Sequence, residues 1–257
     1  MNRVNRRTLL RTATALGAAG LATGVTTGPA AARGTAPSPA TAPGRAAGSG
    51  DPLRVQVVLF PGVEELDLAA PYEVFSASDF FTDRAVDVRY VALDGPGTIT
   101  AAFGTTLRVE HGWAPDEADL LVVPGGGYAR RDDPGVWAEI RRGALPRALA
   151  DARRPGLTVA ALCTGVMLLS AAGLTRGRPC TTHHRARADL ERQGGVLKRA
   201  RVVDDGDLVT AGGVTSGLDL ALWLVRRELG VDAALGLESM LEYEARGTVW
   251  TAGPPRG

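Results

Sequence analysis

A cysteine lies where a predicted strand runs directly into a predicted helix. Leu157–Leu162 is a continuous apolar run typical of a strand buried on both faces, and Thr164–Ala172 follows with a helical pattern. Cys163 joins them, with Gly165 two residues on, which is the arrangement of a nucleophile elbow built on sulfur. The helix N-terminus favours a thiolate, so we predict a nucleophilic Cys163 whose pKa is lowered. The alternative is a packed cysteine that serves as a small apolar side chain.

Three acidic residues follow the first predicted strand, Val55–Phe60. These are Glu64, Glu65 and Asp67. The carboxyl ends of parallel strands meet at one edge of a sheet, so one of these acids can reach the elbow and exchange protons there. Their alternative role is to stabilise the N-terminus of the helix that follows.

Glycines follow another buried run, Ala118–Val123. The segment Pro124–Gly127 allows close backbone approach and leaves N–H groups that can hold an oxyanion. We therefore predict that the amides of Gly126 or Gly127 act together with that of Thr164. A plain turn is the alternative.

The histidines give a weaker signal than the cysteine. His183 and His184 could pair with Cys163 as a base, but Ala186 stands where the glutamine amidotransferases need an acid. They could instead line a pocket or begin a helix. Three histidines in all offer no zinc-ligand spacing, so we expect no metal. Cys180 is expected to be a packed thiol, with a bridge to Cys163 or a resolving role as the alternative.

The elements that must position these residues alternate between strands and helices. This order predicts βαβ units and a mostly parallel, doubly wound α/β sheet in one domain. The remaining predicted strands are Val86–Leu93 and a hairpin of Arg201–Asp204 with Leu208–Thr210. The remaining predicted helices are Leu66–Ser78, Val136–Ala152, Ala186–Gln193, Ser216–Glu228 and Asp232–Tyr243.

The motifs resemble the ThiJ/PfpI branch of the class I glutamine-amidotransferase-like superfamily over about residues 53–245. The matching segments are Phe60–Asp67, Pro71–Phe75, Val123–Gly126, Ala161–Gly165 and Gly213–Asp219. The resemblance implies a flavodoxin-like three-layer sandwich, a homodimer and no cofactor.

Within this branch the chain is most similar to isonitrile hydratases and to the ligand domains of GlxA-type regulators. The regulators carry a C-terminal helix-turn-helix module that this sequence does not show, so we expect no DNA binding. Isonitrile hydratases pair the elbow cysteine with an aspartate at the position of Asp67. The resemblance therefore implies a small-molecule hydro-lyase that converts an isonitrile and water to an N-substituted formamide. The alternatives are a glyoxalase- or deglycase-type enzyme and a non-catalytic ligand-binding or redox-sensing protein. His184 and Cys180 depart from the usual pattern of the family.

The N-terminus predicts export. Residues 1–32 contain Arg6-Arg7, a short apolar run and a small-residue cleavage site, which together are similar to a twin-arginine signal peptide. Without these residues the chain loses four arginines and no acid, so its formal net charge changes from +1 to −3, which excludes a basic nucleic-acid-binding protein. We predict a disordered linker over residues 33–52, a domain over residues 53–245 and a flexible tail over residues 246–257. The mature protein would reach the periplasm, the cell envelope or the exterior with no stable membrane anchor.

Overall fold

The computed structural model describes residues 50–252, and the predicted signal peptide and nearly all of the linker lie outside them. The described residues form twelve strands and seven α-helices. The strands are β1 (Leu53–Leu59), β2 (Val86–Ala92), β3 (Gly97–Thr100), β4 (Thr106–Val109), β5 (His111–Gly112), β6 (Leu120–Val123), β7 (Thr158–Ala161), β8 (Pro179–Cys180), β9 (Val196–Leu197), β10 (Val202–Asp204), β11 (Leu208–Ala211) and β12 (Val249–Thr251). The helices are α1 (Glu65–Ser78), α2 (Val136–Arg142), α3 (Ala144–Asp151), α4 (Val166–Ala171), α5 (Arg187–Arg192), α6 (Ser216–Leu229) and α7 (Val231–Leu241).

A mostly parallel sheet forms the centre of the molecule. Its strand order is β12-β10-β11-β7-β6-β1-β2-β5, and β10 with β11 is its antiparallel pair. Helices α1, α6 and α7 pack together, and α2, α3 and α4 form a second group. The two groups flank the sheet, so the predicted α/β fold with a flavodoxin-like three-layer arrangement is confirmed. Among the described residues no helix is long and apolar enough to cross a bilayer.

The central strands are buried because their sequences are apolar throughout. All four residues of β6 and of β11 are buried, and β1 exposes only Arg54. Strands covered by helices on both faces need such continuous runs, whereas strands with one wet face alternate. Strands β1, β6, β7 and β11 are neighbours in the sheet and run parallel, so their carboxyl ends lie side by side at one edge. The candidate site residues come directly after these ends in the sequence.

Two predicted segments differ from the structure. The helix predicted over Val136–Ala152 is two helices, because Gly143 adopts φ +70° and ends α2 with a hydrogen bond from its N–H to Glu139 O. The tail predicted over residues 246–257 is not wholly irregular, since β12 pairs in parallel with β10 at the edge of the sheet. The unpaired backbone of a sheet edge favours the addition of such a strand.

Several short elements have no counterpart in the prediction. The antiparallel pair β3–β4 and the pair β8–β9 form two small separate sheets, and β5 adds to the edge beside β2. Strands of two to four residues carry too little periodicity to be recognised in a sequence.

The elbow is held against the end of β6 by a close backbone contact at Gly165. A Cβ at this residue would lie 2.3 Å from Val123 O and 2.4 Å from Pro124 O. The backbone of Gly165 has an ordinary helical φ of −59°, so the requirement for glycine here is one of space alone.

We predict that Gly165→Ala lowers the free energy of unfolding by about 1–3 kcal/mol, the usual cost of forcing atoms into a filled site. The measurement is urea unfolding followed by circular dichroism. Gly97→Ala is the matched control, because a Cβ at Gly97 would meet nothing within 4 Å. Equal stability of the two variants would show that the elbow can move away from β6.

Candidate active site

Cys163 occupies a left-handed turn at the end of β7. Its φ is +52°, which is rare for a residue other than glycine, and a 3-10 turn over Cys163–Gly165 leads into α4. The Cys163 N–H donates to Gly212 O at 2.7 Å, and its carbonyl accepts from Thr182 Oγ1 at 2.7 Å. The structure therefore contains the predicted elbow, with a thiol that is 5% exposed.

Asp67 reaches the elbow from the first turn of α1. Glu64 precedes this helix, and its Oε2 accepts the Asp67 N–H at 2.8 Å. Asp67 is fully buried, and its Oδ2 accepts the Gly125 N–H at 2.9 Å. The other oxygen, Oδ1, has no fixed donor among residues 50–252, while the carboxyl interacts with the Cys163 thiol. The structure thus brings the two predicted catalytic residues together.

Burial and a neighbouring negative charge raise the pKa of both groups. Burial, followed by the charge of Glu64, raises the pKa of Asp67 to about 8. Burial, followed by the charge of Asp67, raises the pKa of Cys163 to about 12. The prediction of a lowered thiol pKa is therefore wrong, because α4 is only six residues long and its amides do not offset desolvation beside a carboxylate. The consequence is a thiol that keeps its proton until a base accepts it.

Two backbone amides donate to the sulfur. They belong to Thr164, which was predicted, and to Val214, which was not, and both lower the pKa of Cys163 against the larger effect of burial. Val214 follows the buried strand β11 and the pair Gly212-Gly213, and its φ is +24°. A glycine pair after a buried strand is the same signal that pointed to Pro124–Gly127, so the sequence does contain the clue.

The glycine segment after β6 holds other residues of the site in place through hydrogen bonds. The Gly125 N–H binds Asp67, and the Gly126 N–H donates to Thr164 Oγ1 at 3.1 Å. The Gly126 amide is therefore already paired in this structure, and its oxyanion role stays a prediction. A Cβ on Gly127 would lie 2.5 Å from Pro134 O, so this glycine is needed for close packing of its loop. An oxyanion role for the Gly127 amide stays a prediction.

Glu65 turns away from the elbow. Its Oε1 accepts the backbone N–H groups of Phe103 at 2.9 Å and Thr105 at 3.3 Å, in the turn between β3 and β4. Glu64 lies closer to the reacting groups through its contact with Asp67. Of the three acids, Asp67 is the one that interacts with the thiol, and Glu65 fixes the neighbouring hairpin.

His183 begins a 3-10 turn and does not act on the thiol in this structure. Its Nδ1 accepts the Arg185 N–H at 3.2 Å, and burial, followed by the charge of His184, lowers its pKa. A neutral ring that accepts at Nδ1 carries its proton on Nε2, so His183 presents a donor next to Gly213. His183 therefore fits the alternative role of a polar group at the start of a helix. His184 is exposed and stacks on His183 with ring centroids 4.2 Å apart.

Cys180 is a packed thiol. It is buried in β8, and burial raises its pKa to about 11. Both cysteines are free, so the alternative of a Cys163–Cys180 bridge is not realised. Within the described part of the chain, no group of three His, Cys, Asp or Glu side chains is placed to hold a metal ion.

Comparison with known proteins identifies a family and several relatives of this chain. Residues 53–227 match the profile of the DJ-1/PfpI family. The isonitrile hydratase of Pseudomonas putida is 34% identical over 192 residues, which cover 74% of this chain and 78% of that protein. A deglycase of Thermococcus kodakarensis is 30% identical over 162 residues, covering 62% and 89%. The crystal structure of a ThiJ/PfpI family protein from Pseudomonas syringae superposes with a TM-score of 0.66 at 24% identity, covering 82% and 81%, and this likeness shows the fold alone.

We predict that Asp67→Asn removes a pH-dependent cost from the folded protein. Between about pH 4 and pH 8 the unfolded chain loses the Asp67 proton while the folded protein keeps it, because burial raises the pKa to about 8. The unfolded state is favoured as the pH rises, so wild-type stability should fall across this range by ~5 kcal/mol relative to the variant.

The measurement is urea unfolding of both proteins at intervals from pH 4 to pH 8.5. Other titrating groups are common to the two proteins and cancel in the difference. Glu65→Gln is the control, since Glu65 accepts the Phe103 N–H and is directed away from Asp67. Loss of the Glu65 charge should leave the pH dependence of stability in place. A difference between wild type and Asp67→Asn that does not vary with pH would contradict the raised pKa.

Proposed function

The chain belongs to the DJ-1/PfpI family, and we propose that it is a cysteine-dependent enzyme that hydrates small isonitriles to N-substituted formamides. The family includes isonitrile hydratase and deglycases, so enzymes of both kinds are its relatives. The observation that carries the proposal is the buried pair of Cys163 and Asp67, with two amides directed at the sulfur.

The first step is addition of the thiol to the terminal carbon of the isonitrile. Asp67, as the carboxylate, takes the thiol proton while Sγ of Cys163 forms a bond to this carbon. Asp67 then passes the proton to the same carbon, which gives a thioimidate and restores the carboxylate. A group that exchanges a proton with both sulfur and substrate needs a pKa near the working pH, and the raised pKa of Asp67 meets this requirement.

The second step is hydrolysis of the thioimidate. Asp67 takes a proton from water, the hydroxide adds to the carbon, and the proton is delivered to nitrogen. The C–S bond then breaks, the formamide leaves, and the hydroxyl proton returns through Asp67 to the sulfur. The Thr164 and Val214 amides stabilise the sulfur as it departs with negative charge. One water is consumed, and the two side chains end as they began.

The geometry weighs against a redox sensor. Oxidant-sensing cysteines are exposed and have low pKa values, so that the thiolate is available. Cys163 is 5% exposed, and burial raises its pKa to about 12.

Aldehyde chemistry is the second candidate, because a deglycase is 30% identical to this chain. It would use the same thiol, with Glu64 or Asp67 as base. Asp67 is the acid that interacts with the sulfur, and Glu64 is held by the N–H at the start of α1, which favours the hydratase.

The place of action and the assembly are also proposed. The twin-arginine pattern in residues 1–32 supports export to the periplasm, the cell envelope or the exterior. Membership of the family supports a homodimer that acts on a free small molecule.

We predict that the purified protein converts cyclohexyl isocyanide to the formamide and that Cys163→Ala reduces the rate to the uncatalysed level. Asp67→Asn should lower kcat/KM by about 10²–10⁴-fold, because the proton carrier is lost while the thiol remains. Formamide is measured by chromatography and mass spectrometry.

Cys180→Ala is the matched control for loss of a buried thiol, and it should retain activity. Turnover by the Cys163→Ala variant at the wild-type rate would contradict the mechanism. Turnover of methylglyoxal with no turnover of any isonitrile would replace the hydratase by the aldehyde enzyme.

The pH profile gives a second prediction. The carboxylate form of Asp67 is the active form, and burial raises its pKa to about 8, so kcat/KM should rise between pH 6 and 9 with its midpoint near that value. The control is Glu65→Gln, which should keep the same midpoint. A profile that falls across this range would mean that protonated Asp67 is needed.

A further inference from the structure

A cleft of about 570 Å³ opens beside the elbow. Its walls include the segment after β11, the turn that begins at His183, and the residues that precede β12. Among the described residues, no Asp or Glu lines it, whereas three arginines and two histidines do.

Two of these arginines have no carboxylate partner. Arg201 pairs with Asp219, but Arg187 and Arg199 form no ion pair among residues 50–252. Nε of Arg187 is buried without a hydrogen-bond partner. Arg187 and Arg199 therefore bring positive charge to the cleft that no carboxylate of the described residues neutralises.

The potential in the cleft is positive. The charges of His184 and Arg187 both help to lower the pKa of His183, after the larger effect of burial. Helix α6, which is 14 residues long, starts at the cleft wall, so its positive dipole end adds to the same field. Among nearby charges, the one that acts most on the Cys163 pKa is Asp67.

The cleft adjoins the reacting sulfur through its own wall residues. Gly212 O accepts the Cys163 N–H, and the His183 N–H donates to Cys163 O at 3.3 Å. Val214, in the same wall, donates its N–H to the sulfur. The wall of the cleft and the elbow are therefore in direct contact through these three residues.

We propose that this cleft binds an oxyanionic group of the substrate, a carboxylate or a phosphate, through Arg187 and Arg199. The preferred substrates of the hydration are then small isonitriles that carry such a group. That the reacting group is an isonitrile rests on the proposed function. Guanidinium groups bind carboxylate and phosphate through paired N–H donors, and these two arginines have no carboxylate partner among residues 50–252.

The test compares alkylation of Cys163 by iodoacetate and by iodoacetamide at pH 8, followed by peptide mass spectrometry in the full chain. The two reagents share the reacting carbon and differ in charge. In the double variant Arg187→Gln/Arg199→Gln, the ratio of the iodoacetate rate to the iodoacetamide rate should fall by about fivefold, the effect of removing nearby charges from a partly exposed site. The iodoacetamide rate itself should not change.

The matched control is Arg108→Gln/Arg226→Gln, which removes the same charge outside the cleft and should preserve the ratio. An unchanged ratio in the cleft variant, or an equal fall in the control, would overturn the inference. Slower alkylation of wild type by iodoacetate in inorganic phosphate than in acetate assigns a phosphate, and the reverse assigns a carboxylate. If neither phosphate nor acetate slows the alkylation of Cys163 at equal ionic strength, the inference is also overturned.

This readout needs only the thiol, so it reports on the cleft even if no isonitrile is turned over. For the hydration, kcat/KM of isocyanoacetate relative to isocyanoacetamide should fall in the cleft variant. Turnover of neutral isonitriles with no change in either ratio would leave the proposed function intact and remove the anion site.

Discussion

The left-handed backbone at Cys163 is the constraint on which the site depends. A non-glycine residue at φ +52° costs about 1–2 kcal/mol, and this structure offsets the cost with hydrogen bonds from separate segments. Gly212 O accepts the Cys163 N–H, and Thr182 Oγ1 donates to its carbonyl. Because these partners come from different segments after the elbow, the position of the sulfur depends on tertiary contacts and not on the local turn alone. The same turn brings the Thr164 amide to the sulfur.

The environment of the sulfur is governed by exclusion of water. Asp67 is fully buried and Cys163 is nearly so, which disfavours a negative charge on either group. Instead of a permanently ionised nucleophile, the site holds a thiol beside a carboxyl group that can take its proton. Such a site spends little time as a free thiolate, which limits side reactions with oxidants while a substrate can still draw the proton away.

The fold and the position of Cys163 at an elbow follow from local patterns, whereas the choice of Asp67 among the three acids came from the resemblance to isonitrile hydratases. Buried strands are apolar runs, and a cysteine between such a strand and a helix is an elbow in any parallel sheet. The thiol pKa was predicted in the wrong direction, since it depends on burial and on Asp67, which is 96 positions away from Cys163 in the sequence. The hydrogen bond from the Gly126 amide to Thr164 Oγ1 is a contact between loops that no local pattern reveals. The basic cleft was missed for the same reason, since its arginines lie in mixed charge patterns on separate segments.

The reactive centre draws on the start of α1, the end of β7 and the segment after β11, and these lie far apart along the chain. Contacts of large sequence separation form late, because the loops between them must close first. A chain that has collapsed but has not yet docked β11 beside β7 lacks the Val214 amide and the acceptor at Gly212. The site is therefore complete only when these long-range contacts are all in place, and a chain that lacks them carries a cysteine without its amide donors.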